Sequence, residues 1–221
     1  MINLEICNMA IGLTGGGRTL TSIDQKCPEA AACSTYYQAA LEECLTAANW
    51  SFCRKDELIT EENLLKDEHG QIITGATLPY AYSYEVPEDV IKILYLSPYP
   101  SSARTTETLC VNHNRLIPFN LRNVDNRLCL ATDATPPFEI HYQARLDEFV
   151  LVTPAFKLAA ATRLASLIAP MIIGGVEGIN MGIKLEQMFQ QSLTRAAAID
   201  AQQGAYSVTS SRSNRFIEAR R

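Results

Sequence analysis

Cys44-Leu45-Thr46-Ala47-Ala48-Asn49-Trp50-Ser51-Phe52-Cys53-Arg54 is the stretch where the chain changes texture. Upstream of it, apolar residues recur three or four apart. Downstream, from Ser51 to Tyr142, short runs rich in Val, Ile and aromatics are separated by turn residues. A helix running from Pro28 to about Trp50 is expected, because proline suits the first helical position. Cys33, Tyr37, Ala40, Leu41, Cys44 and Ala48 form one apolar stripe, with Glu29, Gln38, Glu42 and Glu43 largely off it. Before that, Asn3 to Leu13 reads as a first helix that stops at Thr14-Gly15-Gly16-Gly17, where glycine opens left-handed backbone conformations. Arg18-Thr19 after the glycines does not make a phosphate loop, which needs a preceding strand and a lysine.

The middle of the chain predicts a small antiparallel sheet. Strand candidates are Gln71 to Thr74, Val90 to Leu96, Glu107 to Val111, Arg115 to Ile117, Arg127 to Leu130 and Phe138 to Tyr142. Gly70, Pro98, Pro100, Asn112, Asn114 and Pro136-Pro137 punctuate them. The acidic stretch from Asp56 to Glu68 reads as a loop or short polar helix. Beyond it, Thr153-Pro154 supplies a capping hydroxyl and a first-turn proline. Phe156 to Ile168 is apolar around much of its circumference, and Pro170 and Gly174-Gly175 are expected to interrupt it. A last helix is expected from Val176 to Ala201, with Ile179, Ile183, Glu186 and Gln190 in one row and Leu185, Met188, Phe189, Leu193 and Ala197 in another.

The fold expected is therefore α+β: a mainly helical bundle from residues 1–51 and 144–203, a β-rich lobe inserted at 52–143, and an extended C-terminal arm at 204–221. Trp50 and Phe52 are expected at the junction. A helical body with an inserted lobe suits contact with neighbours better than enclosure of a substrate.

Charge and composition narrow the function. A net charge of −5 argues against a protein that grips nucleic acid, which needs a concentrated basic surface. From Gly204 onward, Arg212, Arg215, Arg220 and Arg221 stand against Glu218, so the arm carries +3 and the rest of the chain −8. A basic tail on an acidic body is expected to work on a partner. Seven cysteines with no C-x-x-C spacing read as small core residues of a reducing compartment. No basic region precedes an apolar run at the N-terminus, and Leu164 to Ile173, broken by Ser166 and Pro170, is too short for a bilayer span. A soluble product of the cytoplasm, with no membrane partner, is expected.

No catalytic motif stands out. His69, His113 and His141 are isolated in sequence, and Asp56, Glu57, Glu61, Glu62, Asp67 and Glu68 do not follow the oxygen-ligand alternation of a calcium loop. Neither enzyme activity nor a cofactor is expected.

The order of segments resembles the phage head-to-tail adaptors of the tail tubular protein A type. Asn3-Leu4-Glu5-Ile6-Cys7-Asn8-Met9-Ala10, a glycine-containing loop and Leu20-Thr21-Ser22-Ile23-Asp24 are similar to the family's opening. Ala48-Asn49-Trp50-Ser51-Phe52-Cys53-Arg54 looks like its W-x-F exit into the β region. Leu78 to Val90 resembles its aromatic, proline and acidic segment, and Phe149 to Ala201 its closing helices. The stretch from Ser97 to Pro137 departs from the pattern.

This resemblance implies a virion protein of the tail or neck that forms a homo-oligomeric ring, commonly dodecameric, between the portal protein and the distal nozzle or tube protein. DNA would pass through the lumen without specific binding, and an acidic lumen would repel its phosphates. A neck completion or stopper protein of a long-tailed phage is the alternative. On the ring reading, Phe156, Leu164, Ile183 and Phe189 are expected in the subunit contact. The resemblance also makes the arm a portal-binding segment, with Tyr206, Phe216 and Ile217 as anchors and Arg212, Arg215, Arg220 and Arg221 as forked donors to carboxylates.

Overall fold

The computed structural model describes residues 2–66, 80–99, 116–124, 127–146 and 152–203. Among them are four helices and two small antiparallel sheets, an α+β fold. The chain divides into two units, Met1–Phe52 with Leu146–Arg221, and Cys53–Arg145. The expected strands at Gln71–Thr74 and Glu107–Val111, residue Arg115 and the arm at 204–221 lie outside the described residues.

The first unit is helical: α1 (Leu4–Leu13), α2 (Pro28–Ala47), α3 (Pro154–Ile173) and α4 (Gly175–Gln203). Short polar residues set the helix starts. The Asn3 carboxamide accepts from the N–H groups of Glu5 and Ile6 at 2.9 and 3.2 Å, and the Thr153 hydroxyl accepts from Phe156 N–H at 3.3 Å. Pro28 and Pro154 occupy first-turn positions, where a missing N–H costs nothing. Asn8 pins the loop after α1 by accepting from Leu20 N–H at 2.7 Å and donating to Leu20 C=O at 3.0 Å.

Helix α3 is the centre of this unit and packs on α1, α2 and α4. It is one continuous helix through Pro170, which corrects the expected interruption there; the turn to α4 comes at Gly174 and Gly175, both at positive φ. At 20 residues and a mean hydropathy of 1.5, α3 is long and apolar enough to cross a membrane, contrary to the reading of this region as too short. Its apolar residues are instead taken up by its neighbours, with Phe156, Leu164, Ala165 and Ile168 buried. Its basic side chains tie the bundle together: Lys157 pairs with Glu5 of α1 at 2.7 Å, and Arg163 pairs with Glu43 of α2 at 2.7 Å and with Glu186 of α4. Arg163 also lies over the Phe189 ring, 5.5 Å from its centroid.

Trp50 and Phe52 both belong to the helical unit. Trp50 is fully buried, donates its Nε1–H to the Cys44 carbonyl at 2.9 Å, and meets Phe156 edge-on at 4.9 Å. Phe52 stacks on Trp50 at 5.6 Å and meets Phe156 at 5.1 Å. Beside this cluster, the buried Asp200 carboxylate accepts from both Ser51 N–H and Ser51 Oγ–H at 2.7 Å. These contacts hold Phe52 in the bundle, so the division falls after Phe52 rather than after residue 51. At the other end β6 continues to Ala144, which moves that division from 143/144 to Arg145/Leu146.

The second unit holds six strands: β1 (Arg54–Ile59), β2 (Tyr82–Glu85), β3 (Val90–Pro98), β4 (Asn120–Val124), β5 (Arg127–Thr132) and β6 (Phe138–Ala144). They form two three-stranded sheets, β1-β6-β3 and β2-β5-β4, where one sheet was expected. Side chains from both sheets share one core of Ile59, Leu64, Tyr84, Ile93, Leu96, Leu130, Phe138, Ile140 and Tyr142. Tyr84 and Phe138 meet edge-on at 5.0 Å across it. The acidic stretch is neither a loop nor a polar helix throughout: Asp56 to Ile59 completes β1, and Glu61–Asn63 is a single 3-10 turn.

Buried phenols give this fold a pH limit. Burial raises Tyr37 and Tyr84 to about 12, and burial together with Asp89 pushes Tyr142 higher still. All three favour the neutral form more in the fold than in the unfolded chain, where a tyrosine titrates near 10. Their contribution to stability is complete below pH about 10 and is lost as pH rises through the folded values. Unfolding midpoints in denaturant are expected to fall steadily above that pH, with part of the tyrosinate absorbance appearing only on unfolding. Simple titration of all nine tyrosines at their ordinary value, with no loss of stability, would contradict this.

Candidate assembly surfaces

Of the four residues expected in a subunit contact, three are placed where they cannot make one. Phe156, Leu164 and Phe189 are each no more than 1% exposed inside the helical unit. They are the packing surface of α3 and α4 on the rest of the bundle, so an apolar surplus in sequence here marks core rather than interface. Ile183 alone of the four is on the surface, at 55% exposure.

Ile183 stands in a row with Val176 and Ile179, at 73% and 55% exposure. The spacing of three and four residues puts them on one side of α4. Its opposite side carries Gly178, Gly182, Leu185 and Phe189 into α3. Met171 and Ile173 add exposed apolar surface at the end of α3, beside the same turn. The row on α4 forms an apolar ridge exposed among the described residues, the kind of surface that marks interaction sites when it is contiguous.

A second apolar surface lies at the other end of the same helix pair. Pro154, Ala155 and Leu158 from the start of α3 and Met188, Ser192, Arg195 and Ile199 from α4 line an open groove of 660 Å³. Leu158 and Met188 are 42% and 50% exposed.

The β unit brings together one polar constellation that is invisible in sequence. His141 of β6 lies between Asp56 of β1, 2.6 Å from Nδ1, and Ser97 of β3, 2.8 Å from Nε2, while Tyr95 stacks on its ring at 4.3 Å. Cross-strand pairing makes the cluster, since Asp56 and Tyr95 are both register partners of His141. Serine, imidazole and carboxylate stand in the order used for nucleophilic catalysis. Asp56 is 61% exposed, however, and the groove lies in the other unit. What the contacts accomplish directly is to tie the three strands of one sheet together. His141 is thus isolated only in sequence; His69 and His113 lie outside the described residues.

Two of the buried cysteines, Cys7 and Cys44, are held protonated as placed. Cys7, Cys33, Cys44, Cys53 and Cys129 are buried thiols, and Cys27 is half-buried. A hydrogen bond with Cys33 and burial raise the Cys7 thiol far above its ordinary value, and burial raises Cys44 to about 12. A thiol held protonated is neither a good nucleophile nor a metal ligand. Cys110, and every arm residue expected to bind the portal, Tyr206, Arg212, Arg215, Phe216, Ile217, Arg220 and Arg221, lie outside the described residues. No protein-family model matches the chain, and no curated protein shows significant similarity to it.

Proposed function

We propose that the protein is a virion structural component, a head-to-tail adaptor whose copies form a ring between the portal and the distal tail protein. The observation that carries this reading is the apolar ridge of Val176, Ile179 and Ile183, which a protein acting alone would have no reason to leave in water. A helical unit built from both chain ends, with a β unit between them, also follows the segment order of the adaptors it resembles. The charge of −8 outside the arm suits a passage through which a duplex slides without sticking. Copies and portal mixed together should co-migrate as one particle in native mass spectrometry and image as coaxial rings. Co-assembly with a tail-tube protein but not with a portal would favour the completion-protein alternative instead.

In this reading residues 205–221 fix the adaptor to the portal. Their deletion should leave a folded subunit with unchanged helical signal and at least a tenfold loss of portal affinity, about 1.4 kcal/mol. Replacing Arg212, Arg215, Arg220 and Arg221 by Gln should weaken attachment and remove its sensitivity to salt. Equal binding by the truncated and full chains would assign docking to the helical unit.

A further inference from the structure

We infer that the first residues of the C-terminal arm, 205–210, lie in the α3–α4 groove of their own chain, so that the groove anchors the root of the arm and leaves its arginines for a partner. The inference does not depend on what those arginines bind.

The chain itself supplies the occupant. On α4 the groove is a single stripe: Met188, Ser192, Arg195 and Ile199 recur every three or four residues and so share one side of the helix. From Ile199 only four residues remain to Gln203, where α4 ends, a distance of about 6 Å along the axis. Gly204 follows directly. A glycine just past a helix end lets the chain turn off the axis through left-handed backbone, and the residues after it then need to return by little more than one turn to meet the groove.

Length and pattern fit the same path. The stripe from Met188 to Ile199 runs about 17 Å, and the six residues 205–210 span about 20 Å when extended. In an extended segment residues two apart share a face, so Tyr206 and Val208 would enter the groove together. A chain turning back at Gly204 brings Tyr206 opposite Ile199 and Arg195, and Val208 opposite Ser192. There the phenol ring covers aliphatic wall and meets the Arg195 guanidinium, a favourable pairing. Charge sets which part of the arm enters. Arg195 stands exposed in the groove wall and disfavours a cationic segment. Ala205-Tyr206-Ser207-Val208-Thr209-Ser210 carries no charge, whereas the other apolar pair, Phe216 and Ile217, follows Arg215 directly. Tethering completes the case: a segment joined to its site by one or two residues meets it at an effective concentration in roughly the millimolar range, so modest contacts suffice to seat it.

The test places a benzophenone amino acid at residue 206 of the full chain, where on illumination its carbonyl carbon bonds to C–H groups within reach. Peptide mapping by mass spectrometry should find the cross-link mainly on Met188, Ile199 and Leu158, and mixing isotope-labelled with unlabelled copies should show it within one chain. Met188→Glu should lower that yield at least tenfold with the helical signal unchanged. Leu158→Glu serves the same purpose should the first variant unfold. A chain ending at Ser211 should cross-link as the full chain does, because the arginines are not needed. Cross-links to another copy, cross-links scattered over the surface, or a groove yield unmoved by either substitution would overturn the inference. The cross-link is read on the protein alone, so its failure is distinct from a failure to bind portal.

Discussion

Trp50→Ala is expected to destabilise the helical unit by roughly 3–5 kcal/mol, the range for removing a buried aromatic ring. The side chain is fully buried, and its loss would uncover the faces of Phe52 and Phe156 that it now packs against. The same change orphans the Cys44 carbonyl that its Nε1–H serves. Trp50→Phe separates the two effects: it keeps most of the apolar volume and loses the hydrogen bond, and should cost about 1–2 kcal/mol. Because Trp50 is the single tryptophan, unfolding would be followed by circular dichroism, which does not depend on the residue removed. An unchanged unfolding midpoint for the alanine variant would mean that the ring is not the closing element of the bundle.

The reason for so large an effect is position rather than size alone. Trp50, Ser51 and Phe52 end the first passage of the chain through the helical unit, and Phe156 and Asp200 belong to the second. An insertion of more than ninety residues separates the two passages in sequence, and bringing its ends together costs loop-closure entropy whatever the insertion does. A buried aromatic cluster with a carboxylate accepting two hydrogen bonds is a concentrated way to meet that cost.

The helices were legible because their signals are local. Asn3, Thr153, Pro28 and Pro154 mark starts by their own chemistry, and Gly174-Gly175 marks a turn because both adopt positive φ. Pro170 misled because a proline near a helix end removes one hydrogen bond without forcing a break when the neighbouring helices hold the backbone in place. Strands were legible only where a face is buried. β3, β5 and β6 have apolar residues to bury, whereas β1 buries Ile59 alone and β4 buries nothing, so alternation could not reveal them. β2 lies inside Leu78 to Val90, which reads as an aromatic, proline and acidic segment rather than as a strand. Its buried Ser83 and Tyr84 owe their burial to partners on β5 and to Phe138, far away in sequence.

The candidate surfaces were legible in part and for a related reason. Ile179 and Ile183 fell in one row in the sequence, but Glu186 and Gln190 shared it, and spacing alone cannot say which row of a helix faces water. Phe156, Leu164 and Phe189 looked like surplus apolar surface, yet α3 is surrounded by three helices and absorbs them. The Ser97–His141–Asp56 cluster had no local signal at all, because its members come together through strand pairing.

Gly182→Leu is expected to cost about 3 kcal/mol, the upper end for overpacking a core. A Cβ at Gly182 would stand 3.0 Å from the Ser166 carbonyl oxygen, with the Pro170 ring 3.7 Å away. One turn earlier, a Cβ at Gly178 would meet the Ala169 carbonyl oxygen and Pro170 Cα at 3.1 Å. The obstacles are largely backbone, which cannot rotate aside as a side chain can. Pro170 has no N–H to offer the Ser166 carbonyl in the ordinary helical pattern, and that is the carbonyl Gly182 approaches. Close approach of α4 to α3 thus depends on the Gly178-x-x-x-Gly182 spacing, and a leucine there must push the helices apart and loosen Leu185 and Phe189 with them. Gly12→Ala in α1 is the control: nothing lies within 4 Å of its Cβ position, so alanine should stabilise by about 0.5–1 kcal/mol through helix propensity. Thermal unfolding of both variants beside wild type would decide the matter. A Gly182→Leu protein as stable as wild type would mean that the helices are not held at this distance.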